Sequence, residues 1–239
     1  MANQTQRPDT ALHNTSHLMQ YHDLIESIVA AMDARDAYTA KHSDRVADMV
    51  LVLATALDLS EDETTLLHMA AHLHDIGKIA VPDSVLRKAG PLTNPEWEEM
   101  RRHPVTGYEI LRKVDDFKEI AVLVRHHHER WDGRGYPDGL RGADIPLGSR
   151  ILAVADSIDA MMSSRSYRPA MTSAACRREI ERNSGIMYDP SVAAAALAHW
   201  DELVSRYAEA DTPQTPYFDR MQLEHTRQAH DYLLTHQGS

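Results

Sequence analysis

A histidine, an aspartate and a lysine interrupt an apolar stretch in the first half of the chain. The segment HLHDIGKIAVPDSVL, residues 72–86, places His74, Asp75 and Lys78 at the end of a predicted helix whose other residues are mostly apolar. Burying charged groups is unfavourable unless a partner charge or a metal ion compensates them. The segment is therefore either part of a surface salt bridge or part of a metal site.

Further imidazole and carboxylate groups occur on other predicted helices, at core-facing positions or at helix ends. They are His42, His103, His127, His128 and Asp156. Metal sites in helical bundles are built from ligands that several helices direct into one core. Histidine and carboxylate ligands suit Fe, Mn, Zn or Ni, and the single cysteine, Cys176, excludes a cysteine-rich zinc site.

Composition excludes several classes of protein. The 239 residues are 43% hydrophobic and carry a formal net charge of −11, which disfavours non-specific binding to nucleic acid. The N-terminus lacks the apolar core of a signal peptide, and no apolar run is long enough to span a membrane. We therefore expect a cytoplasmic protein, with which the single cysteine is compatible.

The spacing of apolar residues predicts an all-α bundle with one long glycine-rich loop at 131–149. Helices are predicted at 17–34, 39–58, 60–77, in two pieces over 94–113 with the break at His103, and at 117–129, 147–164, 172–184, 190–208 and 217–236. Ser60 and Glu63 form a capping-box pattern at the start of the third. The expected organisation is a flexible arm at 1–17, a helical domain at 18–208, and a linker with a terminal helix at 209–239.

Five sequence blocks, in order, resemble the HD-GYP phosphodiesterase family. They are DAYTAKHSDRV, AHLHDIGKIAVPDSVL, HPVTGYEIL, HHHERWDGRGYPDGL and RILAVADSIDAMMSSRSYRP, and the resemblance covers roughly residues 30–200. It implies an HD-superfamily helical bundle that hydrolyses the bacterial second messenger cyclic di-GMP. It also implies a centre of two divalent metal ions, with Fe or Mn favoured over Zn or Ni.

The resemblance assigns roles to individual residues. The implied metal ligands are His42, His74, Asp75, His103, His127, His128 and Asp156, with Asp75 bridging the two metals. Lys78 matches a lysine that contacts the scissile phosphate, and Arg165 and Arg168 match basic positions that hold phosphates or guanines. The loop residues Gly135, Tyr136 and Pro137 either pack the loop or bind a partner such as a GGDEF domain.

One departure concerns the product. Some family members have a glutamate that binds a third metal where this chain has Tyr38, and a phenol is a poor ligand at neutral pH. We therefore expect two metals and the linear product pGpG rather than GMP. The alternatives are a catalytically weak sensor or adaptor that binds the dinucleotide, and a phosphodiesterase for a related cyclic dinucleotide.

Several polar residues have expected structural roles. Asp159 either orients a ligand histidine or bonds to Arg165, and Glu129 with Arg130 is expected to form an ion pair that braces the loop. His126 is expected outside the ligand set. The terminal helix is expected to pack on the domain or to form a homodimer contact.

Overall fold

The computed structural model describes residues 21–35, 41–164 and 169–208. The predicted arm, the predicted helix 217–236, Tyr38, Arg165 and Arg168 lie outside these residues. The chain divides into two compact units, 1–207 and 208–239, and all the described residues except Ala208 belong to the first.

The described residues form an all-α fold without β-strands, as the apolar spacing predicts. The α-helices are α1 (His22–Arg35), α2 (His42–Ala56), α3 (Glu61–Leu73), α4 (Asp83–Leu86), α5 (Asn94–Met100), α6 (His103–Leu111), α7 (Lys118–His126), α8 (Leu147–Met162), α9 (Ser173–Arg182), α10 (Pro190–Ala198) and α11 (Trp200–Ala208). Short 3-10 helices occupy Ile76–Ala80, Asp115–Phe117 and Gly142–Asp144.

Helix ends differ from the predictions in two places. Helix α3 ends at Leu73 rather than near Gly77, because Asp75, at φ −96° and ψ 3°, leads the chain into the 3-10 helix Ile76–Ala80. The predicted helix 190–208 is divided at His199, whose φ of −107° and ψ of 27° separate α10 from α11. The short helix α4 was not predicted, since four residues carry no periodic signal.

The hydrophobic core lies between α2, α3, α7 and α8. These helices pack against one another, and each contributes side chains that are fully buried, among them Leu53, Leu67, Ile120 and Ile151. The capping box at the start of α3 is confirmed: the Glu63 amide donates to the Ser60 hydroxyl, and the Glu63 carboxylate accepts from the Ser60 amide. Among the described helices, none combines the length and apolar character needed to cross a bilayer.

A glycine brings the 3-10 helix Ile76–Ala80 against α6. A Cβ atom on Gly77 would lie 1.9 Å from the carbonyl oxygen of His103 and 2.6 Å from the backbone nitrogen of Gly107. Only a residue without a side chain fits this contact. The close approach places Asp75 and Lys78 beside the start of α6, where His103 stands.

Candidate metal centre

The structure brings the seven predicted ligand residues together from five helices or their ends. His42 and His103 begin α2 and α6, His74 and Asp75 follow α3, His127 and His128 follow α7, and Asp156 lies within α8. They form two groups: His42, His74 and Asp156 in one, and His103, His127 and His128 in the other. Within each group the ligand atoms lie within 4.8 Å of one another, the separation expected around one metal ion.

Asp75 lies between the two groups. Its Oδ2 is 3.5 Å from Nε2 of His74 and 3.8 Å from Nε2 of His42, whereas its Oδ1 is 3.4 Å from Nε2 of His103. One carboxylate oxygen therefore faces each group. This is the arrangement that a bridging carboxylate between two metal ions requires.

Backbone carbonyls fix the protonation of three of the histidines. Nδ1 lies 2.7 Å from the Ala71 oxygen in His74, 2.8 Å from the Met100 oxygen in His103, and 2.6 Å from the Val124 oxygen in His127. A carbonyl oxygen only accepts hydrogen bonds, so each Nδ1 carries a proton and each neutral ring keeps its Nε2 lone pair for a metal.

Ring nitrogens face one another within each group. Nε2 of His103 lies 3.3 Å from Nε2 of His127, and Nε2 of His42 lies 3.2 Å from Nε2 of His74. The Nε2 atoms of His103 and His127 are both unprotonated and cannot hydrogen-bond to each other, and a shared cation removes their repulsion. The donor set of the seven residues therefore fits two divalent metal ions.

Asp159 contacts His42. This contact supports the first of the two roles predicted for Asp159, that of orienting a ligand histidine. Its Oδ2 accepts a hydrogen bond of 2.6 Å from Nδ1 of His42, and its Oδ1 accepts bonds of 2.5 Å from Arg45 and from the Tyr207 hydroxyl. A carboxylate on the second nitrogen of a ligand histidine holds the ring in place and makes it a stronger ligand. No local pattern predicts the contacts of Arg45 and Tyr207 with Asp159, because they cross 114 and 48 residues of chain.

Electrostatics keep most of the ligand set in metal-binding protonation states. Burial and neighbouring histidines hold the pKa of His127 and His128 well below the usual range, and burial lowers the pKa of His103 to about 4. Burial alone would raise the pKa of Asp75, but the charges of Lys78 and the surrounding histidines hold it well below its usual range. The three imidazoles are therefore neutral and Asp75 is ionised at neutral pH, as metal ligands must be.

His42 differs from the other histidines. Burial acts to lower its pKa, but the hydrogen bond to Asp159 and the charges of Asp156 and Asp75 outweigh burial and raise it. Without a metal, this ring thus attracts a proton to the side of the centre that is richest in carboxylates.

Lys78 lies at the edge of the centre. Its Nζ is 2.5 Å from Oδ2 of Asp75, and its side chain is 24% exposed while that of Asp75 is only 7% exposed. The ammonium group is therefore adjacent to the Asp75 carboxylate and is also partly exposed to solvent.

The loop that contains Gly135, Tyr136 and Pro137 packs against the second group of histidines. The Tyr136 ring centroid is 4.8 Å from that of His128, the Tyr136 amide donates to the His128 carbonyl at 3.2 Å, and the Arg101 guanidinium lies 4.7 Å from the Tyr136 ring centroid. A Cβ atom on Gly135 would lie 2.4 Å from the backbone nitrogen of Arg130. Of the two predicted roles, these contacts support packing of the loop; Pro137 follows Tyr136 through a cis peptide bond.

The predicted pairing of Glu129 with Arg130 is wrong. The buried Glu129 carboxylate instead accepts hydrogen bonds from the backbone amides of Asp138 and Gly139, at 2.7 and 3.0 Å. Arg130 pairs with Asp132 at 2.7 Å. Glu129 braces the loop because its carboxylate accepts from backbone amides of the turn. Arg130 braces it through its ion pair with Asp132.

His126 lies outside both groups, as expected. Its Nε2 is 2.9 Å from Oδ2 of Asp138, and its Nδ1 contacts the Val122 carbonyl. It belongs to the contacts that hold the loop.

Comparisons with known proteins agree with this geometry. A family model described as HD domain matches residues 23–192. The cyclic di-GMP phosphodiesterase response regulator RpfG of Xanthomonas campestris is 40% identical over 193 residues, which are 79% of this chain and 51% of that protein. A 3'3'-cGAMP-specific phosphodiesterase of Vibrio cholerae is 40% identical over 188 residues, 77% of this chain and 35% of that protein.

Solved structures share the fold. A cyclic GMP-AMP-specific phosphodiesterase of V. cholerae superposes with a TM-score of 0.59 at 21% identity, over 76% of this chain and 49% of that one. An HD-GYP-type protein of Bdellovibrio bacteriovorus superposes with a TM-score of 0.54 at 18% identity, over 80% and 69%.

The chain belongs to the HD-domain family and, within it, to the HD-GYP group that the sequence blocks indicate. It spans about half the length of the Xanthomonas relative and about a third of the Vibrio relative.

Proposed function

We propose that this protein is a metal-dependent phosphodiesterase that hydrolyses cyclic di-GMP to pGpG in bacterial signalling. The observation that carries the proposal is the pair of three-residue ligand groups joined by the carboxylate of Asp75. Relatives at 40% identity that are named as cyclic dinucleotide phosphodiesterases support it.

The centre would hold two divalent ions, Fe or Mn, with Zn and Ni as the alternatives that its N and O donors also suit. Two divalent ions held there would supply Lewis acidity and would lower the pKa of bound water toward neutrality. His42, His74 and Asp156 would hold one ion, and His103, His127 and His128 the other. Asp75 would serve both.

The protein's own residues would orient the phosphodiester and neutralise its charge. Lys78 lies beside Asp75 with part of its side chain exposed, so its ammonium can pair with a non-bridging oxygen of the scissile phosphate. Negative charge grows on these oxygens as the nucleophile adds, and a fixed cation stabilises that state more than the ground state. Lys78 and Asp75 are thus the proposed catalytic residues.

Binding of an anionic dinucleotide needs local cations, because the chain carries a net charge of −11. We assign this role to Lys78, Arg165 and Arg168, and the last two lie outside the described residues. Tyr38 also lies outside them. Because it stands where some family members have a third-metal glutamate, we propose two metals and release of pGpG. A GGDEF-domain partner at residues 135–137, a homodimer and a cytoplasmic location stay predictions.

A second candidate substrate is 3'3'-cGAMP. A relative named for this substrate is as similar to the chain, at 40% identity, as the one named for cyclic di-GMP. The metal-centre residues act on the phosphate, so they do not distinguish the two bases. A sensor that binds a cyclic dinucleotide without cleaving it is the third alternative.

Elemental analysis of anaerobically purified protein, paired with chromatography of reactions on each dinucleotide, tests the proposal. We expect two Fe or Mn per chain and accumulation of pGpG. Asp75→Ala should lose both metals and turnover, whereas His199→Ala, which changes an exposed histidine near Glu202, should keep both. Three metals with GMP as product would contradict the role of Tyr38. Binding of the dinucleotide without formation of product would contradict the proposal that the protein is an enzyme.

A further inference from the structure

Arg35, the last residue of α1, contacts the backbone of the segment that carries Lys78. Its Nη1 donates to the carbonyl oxygens of Lys78 and Ile79, both at 2.9 Å, and its Nη2 donates to that of Val81 at 2.5 Å. The guanidinium also contacts Oδ1 of Asp83, at 2.8 Å from Nη2 and 3.1 Å from Nε. One side chain thus binds three backbone carbonyls within four residues of chain.

These carbonyls lie at the C-terminal end of the 3-10 helix Ile76–Ala80, where helix carbonyls lack further amide donors along the chain. That of Lys78 also accepts the Val81 amide at 3.0 Å. A planar guanidinium with donors in a fixed fork can reach several of them at once, and a cation is favoured at the C-terminal end of a helix. Arg35 therefore acts as a cap on the C-terminal end of the 3-10 helix that carries Lys78.

The cap is itself held in place. The Arg87 guanidinium donates to the carbonyl oxygen of Arg35, with Nε at 2.9 Å, so the end of α1 is tied to the chain on both sides of α4. Arg35 is 30% exposed and Asp83 is 59% exposed, so solvent screens their ion pair.

Apolar packing between α1 and this segment is incomplete. A cavity of about 310 Å³ lies between them, and Ile28 and Met32 of α1 face Ile76, Ile79 and Lys78 across it. A gap of this size removes the close contacts that would otherwise fix the two elements relative to each other. The hydrogen bonds of Arg35 link α1 to the 3-10 helix directly, beside this cavity.

We propose that Arg35 is a positioning residue for phosphodiester hydrolysis: it holds the backbone of Lys78, Ile79 and Val81 so that the Lys78 ammonium stays beside Asp75. This inference rests on the proposed function for its kinetic effect. Its structural part, the restraint of the 3-10 helix by α1, stands on the contacts alone. The consequence is that the position of α1 controls the Lys78 ammonium, although Arg35 contacts only the backbone of Lys78 and not its side chain.

The test is Arg35→Met measured by steady-state kinetics on the hydrolysed dinucleotide. We expect kcat to fall about 10- to 100-fold, since sub-ångström to 1 Å misplacement of a reacting group has effects of this size. KM should rise by a smaller factor, because Lys78 also binds the anionic substrate, and two metals per chain should remain. Arg35→Lys keeps the charge without the fork and should recover activity only in part. Arg177→Met removes an exposed arginine that donates to a distant carbonyl, that of Leu197, and is the matched control.

A double-mutant cycle separates positioning from general destabilisation. In a Lys78→Met background, Arg35→Met should cause no further loss of kcat, because the group it positions is gone. An equal loss in both backgrounds, or an unchanged kcat in Arg35→Met alone, would overturn the proposal. If Arg35→Met does not fold, Arg87→Gln weakens the same cap from the other side and should give a smaller fall in kcat.

Hydrogen exchange tests the restraint without relying on activity. The amide of Lys78 bonds to the Asp75 carbonyl and that of Val81 to the Lys78 carbonyl, at 2.9 and 3.0 Å. In Arg35→Met both amides should exchange at least tenfold faster, with α2 unchanged. Unchanged exchange would refute the cap even if the wild type were inactive on every cyclic dinucleotide. Inactivity of the wild type with faster exchange in the variant would instead refute only the proposed function.

Discussion

Replacing Gly77 by alanine should separate the two halves of the metal centre. The new Cβ would lie 1.9 Å from the His103 carbonyl oxygen, whereas real Cβ atoms essentially never approach closer than 3.0 Å. The two backbones would have to move apart by about 1 Å, and neither is a flexible side chain. The 3.4 Å between Oδ1 of Asp75 and Nε2 of His103 spans the same junction, so this movement reaches the bridging carboxylate.

The expected magnitude follows from that displacement. Overpacking of this kind lowers the free energy of unfolding by about 1–3 kcal/mol, which corresponds to a fall in Tm of about 2–4 °C per kcal/mol for a domain of this size. A 1 Å misplacement at the centre should reduce kcat about 100-fold. The ion held by His103, His127 and His128 should be lost before the other.

The assay combines thermal unfolding, metal content and turnover, all measured well below the Tm of the variant. Gly90→Ala is the matched control, because a Cβ there meets no atom within 4 Å. Gly107→Ala should fall between the two, since its closest contact, 2.9 Å, is to a methyl group of Val124. Gly77→Ala protein with two metals and wild-type kcat would refute the idea that this contact sets the Asp75–His103 distance.

Three further predictions concern the residues around the centre. Asp159→Ala should weaken metal binding about 10- to 100-fold, measured by chelator competition, because His42 loses the partner of its Nδ1; unchanged affinity would exclude this role. Glu129→Ala removes the buried carboxylate that accepts from the Asp138 and Gly139 amides, so kcat should fall and these amides should exchange faster, and Glu129→Gln should be milder. Ser60→Ala should lower the free energy of unfolding by about 1 kcal/mol in urea titrations without changing kcat, because the cap it removes is far along the chain from the ligands; a fall in kcat would contradict this separation.

Local patterns predicted the elements well and singled out candidate ligand residues that the fold brings together. Apolar periodicity gave each long helix, and the capping box marked the start of α3 at Ser60. The seven ligand residues were found because imidazole and carboxylate groups are conspicuous at helix ends and within apolar runs such as the one around Asp156. That they lie in two groups around Asp75 agrees with the bridging role that the family resemblance implied.

Contacts between distant parts of the chain could not be predicted in this way. Arg35 resembles any basic residue at the end of a helix, and its partners lie 43 to 48 residues further on. Glu129 was paired with its neighbour Arg130 on charge alone, whereas the fold brings it to the amides of a turn. The early end of α3 depends on the fit of Gly77 against α6, which is a tertiary contact with no local signature.

The origin of the ligands has a thermodynamic consequence. The seven residues extend from His42 to Asp156 and come from elements that span nearly half of the chain, so a fragment that ends inside this range lacks at least one of them. A ligand that binds only the folded state stabilises it by RT ln(1 + [L]/Kd), about 2.7 kcal/mol at a hundredfold excess over Kd. Each metal ion would therefore stabilise the whole helical domain against unfolding, and scarcity of metal would shorten the lifetime of the folded protein as well as lower its activity.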